Sequence, residues 1–338
     1  MPHLLDRLQA ELHARPHPVL TGCLATAQVA MMGGTRALVD GCCATLVSTH
    51  GWRQVADIDQ YRLYAQGEVQ LRVEHHQEFT TYAVFAPAEA TILATHAWER
   101  LPAEWVASLP GEPIVRLRLH LAPADPRPLT RDDLEPLFGD HQFLAASVSD
   151  GKAAVWTNYR LDAQGWLRML VQDFGLSPRR CGRLIQRLHD LETYRQMALV
   201  GLPLAREIDP QLDQLENRLT AEIAALGDTP AADDRVQLSR FTSLAIAAEH
   251  LRASTAQRLR GTRAYAEIVS ERLDELRQSK IAGFQTISEF LARRVNPAMR
   301  LCASVQTRLE DLSVRIDRAT DLLRTRIDTQ LEAQNQAL

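Results

Sequence analysis

The C-terminal part of the chain nearly lacks the residues that interrupt helices. After Ala231 its only glycine and proline residues are Gly261, Gly283 and Pro297. Apolar residues recur there at steps of three and four, which predicts long amphipathic helices. In the last helix these steps form a nearly heptad seam, made of Val305, Leu309, Leu312, Ile316, Ala319, Leu323 and Ile327.

Each of the two long predicted helices needs a packing partner to bury its apolar stripe. At 1.5 Å per residue, each helix would reach roughly 70–80 Å. The stripes can be covered in two ways, and the pattern leaves both open. The helices pack against each other in an antiparallel hairpin within one chain, or they pack against another copy in a homo-oligomer.

The residues before these helices have the patterns of a mixed α/β fold. Ile114–Leu121 alternates, with Arg116, Arg118 and His120 on one face, which predicts a strand. Asp150–Gly151 lies between two short apolar runs and predicts a hairpin. We therefore expect an α+β protein, in which an N-terminal mixed α/β domain precedes a long antiparallel, coiled-coil-like helical stalk. The expected parts are a head at 1–165, a helical hairpin at 166–230 and the stalk at 231–338.

Charge and cysteine content narrow the class of protein. The chain has 38 basic and 42 acidic residues, a net charge of -4, so we expect no nucleic-acid partner. The five cysteines include no C-x-x-C pair, which indicates reduced thiols in the cytoplasm. No run reaches the roughly 18 apolar residues of a membrane helix. The last helical pattern reaches Leu338 without a stop signal, so we expect the natural chain to continue.

The densest group of titratable side chains lies between positions 74 and 78. On a strand, Glu74, His76 and Glu78 would project from one face, with alternate side chains about 7 Å apart. Histidine and carboxylates suit zinc or manganese, so a divalent metal is the candidate cofactor. A polar sheet face explains the same residues and is the favoured interpretation. A metal-binding enzyme domain is therefore the alternative function, and no catalytic residue can be named.

A basic stripe follows the helix start predicted at Ser177–Pro178. Such a stripe could hold phosphate, anionic lipid or an acidic partner. A solvated helix face paired with Asp190 and Glu192 is the commoner explanation of such a pattern. The stripe consists of Arg179, Arg180, Arg183 and Arg187.

A series of sequence blocks runs from Glu11–Pro16 and His76–Tyr82 through Leu176–Arg183, Glu192–Arg195 and Thr262–Tyr265 to Leu322–Asp328 and Glu332–Asn335. Over essentially the whole chain, these blocks resemble a bacterial family of uncharacterised membrane-anchored proteins, domain of unknown function 3422. The resemblance implies a C-terminal hydrophobic region with two membrane spans beyond Leu338. It also implies a place at the cytoplasmic face of the bacterial inner membrane, and it assigns no reaction.

The expected head and stalk are also similar to the CorA-like two-span metal-ion transporters, at the level of architecture alone. We therefore expect the cytoplasmic part of a membrane-anchored homo-oligomer. Its role would be that of a scaffold, a sensor or a component of transport.

Overall fold

The computed structural model describes residues 18–58, 61–88, 96–123, 129–139, 142–226 and 234–336. The described residues fall into two compact units, Met1–Gln196 with Ile268–Ala292 and Met197–Glu267 with Arg293–Leu338. The domain boundaries expected from the sequence stay a prediction.

The first unit is built around one mixed sheet. Its ten strands are β1 (Leu24–Met32), β2 (Arg53–Ile58), β3 (Tyr61–Gln66), β4 (Val69–His75), β5 (Phe79–Pro87), β6 (Glu112–Pro123), β7 (Leu144–Val148), β8 (Ala153–Leu161), β9 (Leu167–Asp173) and β10 (Ser279–Lys280). They lie in the order β10-β7-β8-β9-β6-β1-β5-β4-β3-β2. Within this sheet, β6 and β9 run parallel and the other neighbouring strands are antiparallel.

The helices differ greatly in length. They are α1 (Arg36–His50), α2 (Ala103–Ala107), α3 (Arg131–Phe138), α4 (Pro178–Leu199), α5 (Gly201–Ala225), α6 (Asp234–Glu275) and α7 (Ile287–Gln336), with a 3₁₀ turn at Ala97–Arg100. The side chain of Thr35 caps the start of α1, and Gly51 ends that helix in the left-handed conformation, at φ 70°.

The central strand β1 is buried on both faces. On one face Val29 packs in an apolar cluster with α1 and with Trp105 of α2. On the other face, the Gln28 amide donates to the Thr193 hydroxyl of α4 at 2.8 Å. A second apolar cluster on the first face contains α3 and residues of β6, β8 and β9. Polar side chains lie between these two clusters.

The second unit has a core of three helices rather than of two. The seam residues of α7 pack in one cluster with apolar residues of α5 and α6, including Leu212 and Leu244. The prediction of an N-terminal α/β domain followed by a coiled-coil-like stalk is therefore wrong. A stripe covered by two neighbouring helices has the same spacing as a coiled-coil seam, so periodicity did not distinguish them. In addition, β9 and β10 extend the sheet beyond residue 165, and the fold is mixed α/β overall.

Local predictions in the first unit are confirmed. The strand predicted at Ile114–Leu121 is part of β6, and the predicted hairpin consists of β7 and β8. Among the described helices, none combines the length and the apolar character needed to cross a membrane.

Candidate functional site

The candidate metal ligands Glu74, His76 and Glu78 are not brought together. Glu74 is buried in β4, with its carboxylate 3.7 Å from the guanidinium of Arg72. Because β4 ends at His75, the alternation that would align the three side chains stops before His76 and Glu78. The His76 ring instead stacks on Phe79 at 4.3 Å. Within the described ranges, no group of three His, Cys, Asp or Glu side chains is arranged to hold a metal ion.

The expected oligomer seam lies inside the chain. Six of its residues are buried in the core formed with α5 and α6, and Ile327 packs against that core. The buried residues are Val305, Leu309, Leu312, Ile316, Ala319 and Leu323. Homo-oligomerisation stays a prediction, and it would need surface other than these side chains.

The basic stripe of α4 forms one wall of a cavity. Arg180, Arg183 and Arg187, spaced three and four residues apart on the helix, line a space of about 160 Å³. Arg179 is exposed on the same turn but does not line this space. We call the space the arginine cavity and define it by Ser149, Asp150, Arg180, Arg183, Arg187, Glu275 and Arg277.

The other wall comes from the β7–β8 turn and from the end of α6. The Ser149 amide donates to the Leu276 carbonyl oxygen at 3.1 Å, which joins these two segments. The Arg277 guanidinium then pairs with Asp150, at 2.9 and 3.2 Å from its two carboxylate oxygens. Arg277 is the fourth arginine that lines the cavity, and no local sequence pattern predicts its place there.

The positive charge of the arginine cavity is only partly balanced. Arg277 is paired with Asp150, and Arg187 donates to the Glu275 carboxylate at 3.0 Å. Within the described part of the chain, neither the Arg180 nor the Arg183 side chain makes a hydrogen bond or an ion pair. Two guanidinium groups therefore face a small polar space without a counter-charge.

Residues with positive φ angles concentrate around the same cavity. Ser149, Asp150 and Arg277 have positive φ angles of 55°, 61° and 48°. The described residues include one other non-glycine residue of this kind, Tyr159. Such conformations are costly for residues with a Cβ atom and cluster at functional sites. Ser149 and Asp150 belong to the β7–β8 turn and Arg277 follows the end of α6, where left-handed residues are usual, so these angles describe the turns that frame the cavity.

The start of α4 is fixed by close backbone packing. A Cβ atom on Gly182 would lie 1.6 Å from the Pro18 carbonyl oxygen, so only glycine lets the two segments meet. The Leu20 amide donates to the Pro178 carbonyl oxygen in the same contact. Before the helix, the Asp173 carboxylate accepts two backbone N–H bonds, which fixes the turn that leads into α4. The arginines of α4 are thus held on a rigid support.

The family described as "Protein of unknown function (DUF3422)" matches residues 3–338, so the chain belongs to this family. No curated protein and no solved structure matches the chain.

Proposed function

We propose that this DUF3422 protein recognises a phosphate group in the arginine cavity. The observation that carries the proposal is the pair Arg180 and Arg183, which line the cavity without acidic partners while Arg187 and Arg277 are neutralised. An occupant with two negative charges would balance this excess.

The chemistry of the lining favours phosphate over other anions. A phosphate group carries about −1.5 to −2 charges at neutral pH and offers three acceptor oxygens. Guanidinium groups present N–H donors in a planar fork that matches phosphate oxygens. The volume of about 160 Å³ accommodates a phosphate group but not a whole nucleotide or lipid. The rest of the ligand would therefore extend into solvent.

The phosphate could belong to a soluble compound or to a lipid headgroup. One observation bears on the second source: Phe174 is 51% exposed, and its amide donates to the Lys152 carbonyl oxygen in the β7–β8 turn, which supplies Ser149 and Asp150 to the cavity. An exposed aromatic ring next to basic residues is typical of proteins that contact anionic membrane surfaces. Phe174 therefore provides a way to distinguish the two sources.

The broader predictions stay open beside this proposal. They are anchoring at the inner membrane, assembly into homo-oligomers, and a role as a scaffold, a sensor or part of a transport system. Of these, a sensor needs a ligand site, which the arginine cavity would supply. The metal-binding alternative has no support from the geometry of Glu74, His76 and Glu78.

The experiment is a calorimetric titration of the full chain with inorganic phosphate and with pyrophosphate. Sedimentation with phosphatidylglycerol vesicles, and with phosphatidylcholine vesicles as the neutral control, tests the lipid source. The test variant is Arg180→Gln with Arg183→Gln. The matched control is Arg179→Gln, which removes an arginine of the same helix turn that lies outside the cavity.

We expect the double variant to bind phosphate at least about a hundredfold more weakly, because it loses two charged hydrogen bonds that contribute about 1.5–3 kcal/mol each. The Arg179→Gln variant should bind like the wild type. Phe174→Ala should weaken vesicle binding alone if the phosphate belongs to a lipid. Equal binding by the double variant and the wild type, or no binding of any phosphate by the wild type, would refute the proposal.

A further inference from the structure

A second cavity, of about 220 Å³, lies on the sheet between the two apolar clusters of the first unit. We call it the sheet cavity. It is lined by Arg118 and His120 of β6, Arg168 of β9, His96, and Asp162 and Gln164 of the β8–β9 turn. It shares no residue with the arginine cavity.

Strand register explains why the charged groups converge. In the parallel pair of β6 and β9, Arg118 lies directly opposite Arg168, so both side chains project from the same face. Arg118 is only 9% exposed. Its guanidinium lies 4.5 Å from the Trp166 ring and donates to the Gln164 amide oxygen at 3.1 Å. These contacts hold the Arg118 guanidinium at the wall of the sheet cavity.

Buried polar atoms around the sheet cavity lack partners. The Nε atom of Arg118 and the Nδ1 atom of His120 are buried, and neither has a hydrogen-bond partner in the structure. His120 is 1% exposed, and its other ring nitrogen lies 3.4 Å from the Cys23 sulfur. Leaving buried polar groups unpaired costs about 1–3 kcal/mol each, and both atoms are inaccessible to water, so they make the wall of the cavity polar without contacting its interior.

The acidic groups nearby do not neutralise both arginines. One oxygen of Asp162 accepts from the Gln164 and Trp166 amides, at 2.9 Å each, and the other lies 3.8 Å from the Arg168 Nε atom. Glu99 lies 4.0 Å from Arg118, but its side chain is 64% exposed and therefore strongly screened. Burial lowers the pKa of His120, so this ring is neutral at neutral pH. About one positive charge remains uncompensated.

We infer that the sheet cavity binds a short monocarboxylate, held by the guanidinium groups of Arg118 and Arg168. A single negative charge matches the single uncompensated positive charge, and buried charges are stable only when they are paired. The planar carboxylate fits the guanidinium fork. At about 30 Å³ for each water, the cavity has room for about seven waters, which limits the ligand to a similar number of non-hydrogen atoms.

The test is a titration of the full chain with acetate, lactate and butyrate, followed by ligand-observed NMR. Acetamide and lactamide serve as uncharged analogues of nearly the same shape. The test variants are Arg118→Gln and Arg168→Gln, each checked for folding by circular dichroism. The matched control is Arg116→Gln, because Arg116 is an exposed arginine of the same strand that does not line the cavity.

We expect saturable binding of at least one of the three carboxylates and no binding of the amides. Each test variant should weaken that binding at least about tenfold, as expected for the loss of a charged hydrogen bond. Arg116→Gln should leave it unchanged. If Arg118→Gln does not fold, Arg168→Gln carries the test, since that side chain is partly exposed.

Arg180→Gln with Arg183→Gln should also leave carboxylate binding unchanged, which separates this inference from phosphate recognition in the arginine cavity. The inference is overturned if the wild type binds none of the three carboxylates. It is also overturned if Arg168→Gln binds them as tightly as the wild type does.

Discussion

Removing the two unpaired arginines of the arginine cavity should stabilise the protein in the absence of ligand. Residues that serve binding often reduce the stability of the free protein. In the variant Arg180→Gln with Arg183→Gln, the α4 helix keeps residues of similar helix propensity, so the main change is electrostatic. We therefore expect the free energy of unfolding to rise.

The magnitude follows from positions along α4. Arg183 lies three residues after Arg180 and four after Arg179, and each like-charge pair at this spacing costs about 0.2–0.5 kcal/mol. Arg180 also lies in the first turn, where a positive charge opposes the helix dipole at a cost of about 0.3–1 kcal/mol. The double variant should be more stable than the wild type by about 0.7–2 kcal/mol at low ionic strength.

The assay is urea unfolding in phosphate-free buffer, at low salt and at about 1 M sodium chloride. At the higher salt the screening length falls to about 3 Å, so the gain should largely disappear. Adding phosphate should reverse the order, because only the wild type gains stability from the bound ligand. A variant less stable than the wild type by more than about 1 kcal/mol at low salt would refute the reasoning, since the arginines would then hold the fold together.

Three further substitutions test the packing of the first unit, each by chemical unfolding. Gly182→Ala should lower the free energy of unfolding by about 1–3 kcal/mol, because the added methyl group would overlap the Pro18 carbonyl oxygen. An unchanged unfolding midpoint would contradict this contact. Glu192→Gln should lower the free energy of unfolding by about 3–5 kcal/mol, because it leaves Arg195, whose side chain is only 14% exposed, without its ion partner. A loss below about 1 kcal/mol would show that solvent screens the pair. Burial lowers the pKa of His189 to about 3, so the unfolded chain binds more protons between pH 3 and about 6.5. The free energy of unfolding should therefore fall by up to about 1.4 kcal/mol for each unit of pH below 6.5. His189→Asn should reduce this dependence of stability on pH. An equal dependence in both proteins would exclude His189 as its source.

Local elements were predictable because periodicity and turn chemistry are local properties of the sequence. The alternation at Ile114–Leu121 gave β6, and Asp150–Gly151 gave the β7–β8 hairpin. The long runs that nearly lack glycine and proline predicted α6 and α7. Pairing between distant segments was not predictable, since β10 is a strand of two residues and has no periodicity of its own.

The two candidate sites were likewise predictable only where their residues follow a local pattern. Helical spacing predicted that Arg180, Arg183 and Arg187 share a face. Arg277 also lines the cavity, and it is held there by Asp150, which lies 127 residues before it in the chain. No local pattern marks that contact. Similarly, the alternation of β6 placed Arg118 on a polar face, but only the pairing of β6 with β1 and β9 shows that this face is buried.

The most direct test of phosphate recognition is to locate a bound oxyanion in a crystal of the full chain. Selenate has the tetrahedral shape and the double negative charge of the phosphate dianion, and the anomalous scattering of selenium marks its position. We expect a selenium peak in the arginine cavity, with selenate oxygens within hydrogen-bond distance of Arg180 and Arg183. An empty arginine cavity in a crystal that binds selenate elsewhere would contradict the account.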